Sequence, residues 1–505
     1  VFDEVVDEGA HPGRRSGPMR VDRVAGDDRR HERSQQDDEL AARDRLLCQK
    51  PRSHRDADAL ARAGTRFTSG YVSAPYCSPS RAGFLTGRYQ TKFGHEFNPH
   101  VGDEATLGLP LAERTIADHL RASGYATGLI GKWHQGFNAA HHPQSRGFDD
   151  YFGFLVGAHN FALRREAAPK FGTANSQNLI YRGRQVQPLD GFATTVFTDE
   201  AIAFTERHSA QPWFLYLAYN AVHTPLEIDP AVAARVPAAV TDPARRGYLA
   251  LLLGLDDSIG RLRAHLEKTS RTKDTLIVFF SDNGGPVGTN GSDNTPLRGA
   301  KGSVFEGGLR VPGLVEWPAV IRTPRRSAVP AVTSDILPTV LDLLGLPAPA
   351  RPLDGISLRR LLVDGTLAAR PQPIGFWRYP VQRERGNPRW IDAELARGTT
   401  PTTRNPAIDF LNYKHPVPKT SRFGGVAAWT DNRYKLMLSD RAVANPAKVG
   451  GKRDVPEAVA LYDLIDDPRE ERNLAARHPE IVARMTAELH AWQRSVERSL
   501  SGADY

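Results

Sequence analysis

Cys77 is followed four residues later by Arg81 within the run Cys77-Ser78-Pro79-Ser80-Arg81-Ala82-Gly83-Phe84-Leu85-Thr86-Gly87-Arg88. A side-chain nucleophile is weak until positive charge beside it favours its ionised form. If a helix starts near Pro79, Arg81 returns one turn later on the face that carries Cys77. A second group able to do chemistry is Ser281-Asp282-Asn283-Gly284-Gly285. Asp282 and Asn283 offer carboxylate and amide oxygens, hard donors suited to calcium or magnesium. Cations and imidazoles recur in Gly131-Lys132-Trp133-His134-Gln135-Gly136, in His223-Thr224-Pro225-Leu226, and around Lys301 in the stretch from Arg298 to Gly308. Each has a plainer reading when taken alone: cysteine as a small buried hydrophobe, Asp-Asn-Gly-Gly as a turn, a single lysine as a solvated side chain.

These residues need a frame to converge, and the apolar pattern supplies one. Trp213 to Tyr219 is an apolar aromatic run expected as a buried parallel strand, and Thr275 to Phe280 is a six-residue apolar strand. The second runs straight into Asp282, and ligands gather at the carboxyl ends of parallel strands. Arg114 to Ser123, Thr198 to His208, Arg245 to Lys268 and Ser334 to Leu344 have helical spacing of apolar residues. Strands alternating with such helices imply an α/β architecture, a mostly parallel central sheet sandwiched by helices. From about Pro371 the chain is rich in loops and proline. Val426 to Thr430 and Tyr434 to Leu438 then read as antiparallel strands, and Pro479 to Arg498 as a terminal helix. The expected organisation is an atypical segment over 1–57, a catalytic domain over 58–365 and a smaller C-terminal α+β subdomain over 366–505.

The Cys-x-Pro-x-Arg run resembles the signature of the type I, formylglycine-dependent sulfatases, arylsulfatase-like members of the alkaline phosphatase superfamily. In that family the cysteine is oxidised by a formylglycine-generating enzyme, and the hydrated aldehyde supplies the nucleophilic oxygen. The resemblance therefore implies that Cys77 is a precursor, which also contacts the metal once converted. It implies that Lys132 and His134 contact the sulfate and the nucleophile, that His223 lies near the leaving-group oxygen, and that Lys301 is a second sulfate-binding lysine. Asp282 and Asn283 become metal ligands, for Ca2+ with Mg2+ as the alternative. With Arg81 these residues would form a cationic cradle around one anion, stabilising charge that develops as a sulfate ester is cleaved. Gly147-Phe148-Asp149-Asp150-Tyr151-Phe152-Gly153-Phe154 resembles a segment shared by arylsulfatases and glycan sulfatases, and it does not name a sugar.

The front of the chain departs from the family pattern, which opens with an apolar strand ending in two aspartates. Residues Val1 to about Arg55 have no apolar run beyond a few residues and read as disordered or as translated in a shifted frame. Moving the frame by one base lets permissible codons for Val21 through Arg33 spell an apolar strand running into an aspartate pair. The metal role is not carried onto Asp27-Asp28, which no apolar strand precedes.

The chain has 505 residues, 40% of them hydrophobic and 25% charged, enough for a large core and more than one domain. Its net charge of +8 comes from interspersed residues without a basic helix or aromatic-basic ladder, so no nucleic-acid partner is expected. The implied partners are a small-molecule or glycan sulfate ester and the maturation enzyme. No integral membrane segment or signal core is legible, although the family is commonly exported. Cys48 and Cys77, the two cysteines, give no disulfide framework. His95, His141, His142, His159 and Arg146 could line an outer pocket, but each is expected to be an exposed polar residue. The rival functions are a phosphoester or phosphonate hydrolase of the same superfold, and an inactive relic lacking the N-terminal aspartate pair.

Overall fold

The computed structural model describes residues 55–96, 98–99, 108–164, 179–378, 383–384, 387–388, 423–439, 448–449, 452–453 and 457–500. The expectations for the segment 1–57 lie outside the described residues, except that Arg55 to Ala57 open the helix Arg55–Ala63.

Ala126–Lys132 is the centre of the first sheet, and all seven of its residues are buried. It pairs in parallel with Asp150–Phe154 on one side and Trp213–Ala218 on the other. Two short antiparallel strands, Tyr181–Arg182 and Gln185–Val186, extend the Asp150–Phe154 side. The helix Ala193–Arg207 covers this sheet with Phe197, Ala201 and Phe204, three buried residues at helical spacing. A second sheet runs Ile277–Phe280, Gly313–Glu316, Thr65–Phe67, Arg325–Ser327. Gly313–Glu316 is antiparallel to both its neighbours, so the other three strands point the same way.

The sheets are therefore mixed, the first with a parallel core, and the expectation of a buried strand at Trp213–Tyr219 needs correction. Trp213–Leu217 and Ile277–Phe280 are half-buried at every position. An exposed face would give alternate exposure, since side chains point to opposite faces in turn. Uniform half-burial marks an open edge, and among the described residues each strand is the last of its sheet. Phe84, from the helix Cys77–Thr86, touches both edges: its ring lies 5.0 Å from that of Tyr216 and 5.0 Å from that of Phe280.

Helix boundaries follow from their caps. Pro243–Lys268 begins where the Asp242 side chain accepts from the Arg245 amide, with proline at the first position. Ile116–Ala122 begins at a capping box between Thr115 and Asp118. Ile336–Leu343 follows a short 3-10 turn, Thr333–Asp335.

The C-terminal region forms an antiparallel sheet in the order Ile374–Arg378, Val426–Thr430, Tyr434–Ser439, Val459–Asp463. Alternation assigns its two faces. Ala428, Met437 and Tyr462 pack toward Val304, Phe305 and Leu309, while Ala427, Leu436 and Leu461 pack against Met485, Leu489 and Val496 of the helix Pro479–Leu500. Among the described residues no helix is long and apolar enough to cross a membrane.

Candidate active site

The helix Cys77–Thr86 opens at Cys77, with Tyr76 as an extended N-cap and Pro79 in the first turn, and all ten residues are buried. Its first turn is fixed by side chains from the next segments. Ser78 Oγ stands 2.7 Å from His95 Nε2, and Gln135 Nε2 donates to the Ser78 carbonyl at 2.9 Å. Arg81, one turn after Cys77, donates through Nε to Asp282 Oδ2 at 2.9 Å. Its Nη1 donates to the Lys132 carbonyl at 2.8 Å and to the Tyr216 hydroxyl at 3.0 Å. One guanidinium thus ties the helix that carries Cys77 to two strand ends and to the middle of a third strand, a use of its rigid fork that an ammonium could not copy.

Lys132 ends the central strand with its Nζ 4.0 Å from Asp282 Oδ2. His134 follows in the left-handed region at φ 63, its amide bonded to the Leu155 carbonyl at 3.0 Å. Its Nδ1 is buried without a hydrogen-bond partner, and Gly157 lies against its ring. Lys301 reaches Cys77, with Nζ 3.2 Å from Sγ. The loop that carries it is seated by the Lys301 amide on the Gly285 carbonyl at 3.1 Å and the Gly302 amide on the Pro75 carbonyl at 2.9 Å. Gly302 sits at φ +90 with the Tyr76 hydroxyl 2.6 Å from where a Cβ would stand, so both backbone shape and space demand glycine. His223 is half-buried, and its Nδ1 lies 2.7 Å from the Thr224 carbonyl. A carbonyl only accepts, so Nδ1 carries the proton and Nε2 is the nitrogen open to a substrate.

The electrostatics follow from burial and from the cations. Burial opposes ionisation of Asp282, but Arg81, Lys132 and Lys301 overcome it and hold the carboxyl well below the usual range. Burial lowers Lys132, and Arg81 and Lys301 add to the fall. Lys301 moves up despite burial because Cys77 and Asp282 face it. Burial, then Lys132, Arg81 and Lys301, push His134 well below its ordinary value. His223 is lowered to about 4 by burial and by Lys132 and Lys301. Three cations thus surround Cys77 and one carboxylate, an arrangement that favours a bound anion.

Asp282 and Asn283 fit a hard divalent cation in kind. Asn283 donates Nδ2 to the Gly284 carbonyl and leaves its buried Oδ1 without a partner, as an oxygen awaiting a cation would be. Among the described residues no group of three or more His, Cys, Asp or Glu gathers as a metal cluster.

The residues 38–346 match the model of a protein family, Sulfatase. The chain belongs to the sulfatase family. The matched residues begin at 38, ahead of the boundary at 58 expected for the catalytic domain. This sulfatase-family chain is 32% identical over 332 residues to N-acetylgalactosamine-6-sulfatase of Sus scrofa, covering 62% of each chain. It is 33% identical over 334 residues to an arylsulfatase of Hemicentrotus pulcherrimus, covering 63% of this chain and 59% of that one. It thus spans about 62% of the length of the first of these curated relatives. Two structures of Ps i-CgsB, one in complex with k-i-k-neocarrahexaose, superpose with TM-scores of 0.71 and 0.70 at 28% identity, covering 88% of this chain and 87% of theirs. The alkaline phosphatase-like α/β fold of the superfamily accounts for the layered sheets described above. The family generally uses a formylglycine and a divalent metal.

Two groups of residues came out differently from the sequence reading. His95, His141, His142, His159 and Arg146 are buried, not exposed. They are braces: the Arg146 guanidinium holds the carbonyls of Leu109, Pro110 and Glu113, and the His141 carbonyl accepts from Trp133 Nε1 at 2.8 Å. Tyr216 escaped notice because it sits inside an apolar strand, where only its alternate-face position opposite Phe84 could have signalled it.

Proposed function

We propose that this chain hydrolyses sulfate esters, aryl sulfates or sulfated carbohydrates, through Cys77 matured to formylglycine by a formylglycine-generating enzyme. The observation that carries this reading is Lys301 Nζ at 3.2 Å from Cys77 Sγ, with Arg81 and Lys132 gathered on the one carboxylate, Asp282, beside it. The cysteine sulfur marks the position that the aldehyde hydrate takes after conversion. When formed, that hydrate supplies an oxygen nucleophile at sulfur, and a bound Ca2+ or Mg2+ supplies the positive charge that helps ionise it. Asp282 and Asn283 would hold the metal as part of a shell that for calcium comprises about six to eight oxygens.

The remaining residues act on the substrate or hold the groups that do. Lys132, Lys301 and His134 orient the sulfate oxygens and offset the charge that grows on them as the ester bond lengthens. Arg81 keeps Asp282 ionised and holds the helix that presents residue 77. His223 presents Nε2 toward the leaving group. With its pKa lowered to about 4 it is neutral in the empty site, and the negative charge of a bound sulfate ester favours its protonated form. The oligosaccharide complex of Ps i-CgsB and the amino-sugar name of the porcine relative favour a sulfated carbohydrate over a simple aryl ester.

The test is peptide mass spectrometry after co-expression with a formylglycine-generating enzyme, followed by turnover of a chromogenic aryl sulfate with calcium. A loss of about 18 Da at Cys77, the mass change from thiol to aldehyde, with calcium-dependent turnover supports the reading. Faster cleavage of the matched phosphate ester would favour a phosphoester hydrolase. Conversion without turnover of either ester would favour an inactive relic, and an unconverted Cys77 would remove the nucleophile from the scheme.

A further inference from the structure

The segment that carries Lys301 is tied at both ends to the C-terminal region. At its far end the Glu306 carboxylate accepts from Lys435 Nζ at 3.0 Å and from the Tyr71 hydroxyl at 2.9 Å, while the Glu306 amide donates to Glu470 Oε2 at 2.7 Å. Lys435 Nζ also lies 2.9 Å from Glu470 Oε1, and the side chains of Lys435, Glu306 and Glu470 are all fully buried. At the near end Arg298 donates to the Glu470 carbonyl at 3.1 Å and to the Tyr462 hydroxyl at 3.3 Å, with its guanidinium 4.0 Å above the ring of Phe305. Lys301 hangs between these anchors.

Such a cluster is a poor device for stability, because desolvating three charges offsets most of their attraction. Its best-attested use is to fix one geometry among several. Glu470 supports that use. Its backbone stands at φ 56, a conformation uncommon for a residue other than glycine, and this brings its side chain under the Glu306 amide. Replacing Lys435 by an apolar residue would leave the carboxyl groups of Glu306 and Glu470 facing each other in a dry space with Arg310, 3.6 Å from Glu306 Oε2, left to offset them, and the segment would give way before the sheets did.

We propose that Lys435 and Glu470 are positioning residues: by fixing Glu306 they set the place of Lys301 beside Cys77, so that the C-terminal sheet holds part of the active site in register. The anion-binding role of Lys301 rests on the sulfate-ester reading above; the mechanical link does not.

The test is Lys435→Met, a charge removal at similar length, read by amide hydrogen exchange and by kinetics in the full chain. Exchange of the Lys301 and Gly302 amides, bonded to Gly285 and Pro75, should quicken at least about tenfold, while the Ala126–Lys132 strand stays within about twofold of wild type. A merely structural cluster would raise exchange throughout, or leave the Lys301 loop no faster than the strand, and either result overturns the proposal. In matured protein kcat/KM for an aryl sulfate should fall at least about tenfold. If wild type cleaves no sulfate ester, the amide contrast still decides the link, so the two readings fail separately. Should Lys435→Met not fold, Tyr71→Phe removes one bond to Glu306 at almost constant volume, and the same contrast at about threefold is expected. No contrast there overturns the proposal equally.

Discussion

Gly157 belongs to none of the motifs, yet a single methyl group there should disable the site. A Cβ at this position would stand 2.6 Å from both Cε1 and Nε2 of His134. Carbon contacts are comfortable at about 3.5 to 4.0 Å, so the imidazole must retreat by about 1 Å. Its backbone cannot follow, because the His134 amide is bonded to Leu155 and its carbonyl accepts from Gln135 Nε2 at 2.9 Å. The ring must therefore swing on its own bonds, and a misplacement of about 1 Å near the reacting atoms can cost about a hundredfold in rate. Gly157→Ala in matured protein should lower kcat/KM for an aryl sulfate by about ten- to a hundredfold, or about 1.4 to 2.8 kcal/mol of barrier. Its melting temperature should move by only a few degrees, about what a change of 1 kcal/mol gives a domain of this size. His134→Ala sets the floor for the comparison, and the double variant should be no slower than His134→Ala alone, since both act through one ring. Turnover of Gly157→Ala within about twofold of wild type, or a double variant showing additive losses, would refute the reasoning.

Arg81→Lys keeps the charge but cannot serve Asp282, the Lys132 carbonyl and Tyr216 together, so kcat should fall about a hundredfold or more, as when one preorganised donor is removed. A loss under about tenfold would mean that charge alone suffices. Glu470 is raised to about 7, first by burial and then by Glu306, against the pull of Lys435. The native state thus holds a proton that the unfolded chain, with an ordinary glutamate near pH 4.3, has released. The stability this contributes is present at low pH and is lost as pH rises through about 7. Buried neutral histidines such as His95 and His141, each lowered to about 3 chiefly by burial, tilt the whole protein the other way. The readout is therefore the difference between Glu470→Gln and wild type in urea midpoints: the variant should gain relative stability from pH 5 to pH 8, and a flat or falling difference would contradict the assignment. Gly254 lies inside the helix Pro243–Lys268 with nothing within 4 Å of an added Cβ. Gly254→Ala should stabilise by about 0.5 to 1 kcal/mol in a urea titration, and a loss would reveal a contact that the native packing hides.

What could be read from the sequence was whatever local backbone geometry decides. Cys77 and Arg81 share a helix face because four residues make one turn, and Pro79 falls in the first turn where a missing amide does no harm. Lys132 ends one apolar strand and Asp282 stands two residues past the carboxyl end of another, in a second sheet, and strand ends are where ligands gather. The burial of Arg146 and the histidines was not legible, because residue type predicts exposure and only a tertiary acceptor reverses it. For Arg146 those acceptors are three loop carbonyls more than 30 residues away. The half-burial of Trp213–Leu217 was not legible for a related reason: hydrophobicity specifies that a strand wants neighbours, whereas its place as the last strand of its sheet among the described residues is a property of the topology.

The ionic cluster behind Lys301 marks the limit of such reading. Lys435 and Glu306 are 129 positions apart, and Glu470 and Glu306 are 164 apart. No periodicity links residues at that separation, and each alone resembles a solvated surface charge. The packing of Val304, Phe305 and Leu309 with Ala428, Met437 and Tyr462, including Phe305 and Tyr462 at 6.5 Å between ring centres, brings the two regions close enough for the charges to be buried together. The loop that carries Lys301 is thereby tied to a residue of the C-terminal sheet. A sequence motif can name Lys301, but its position depends on apolar contacts that no motif contains.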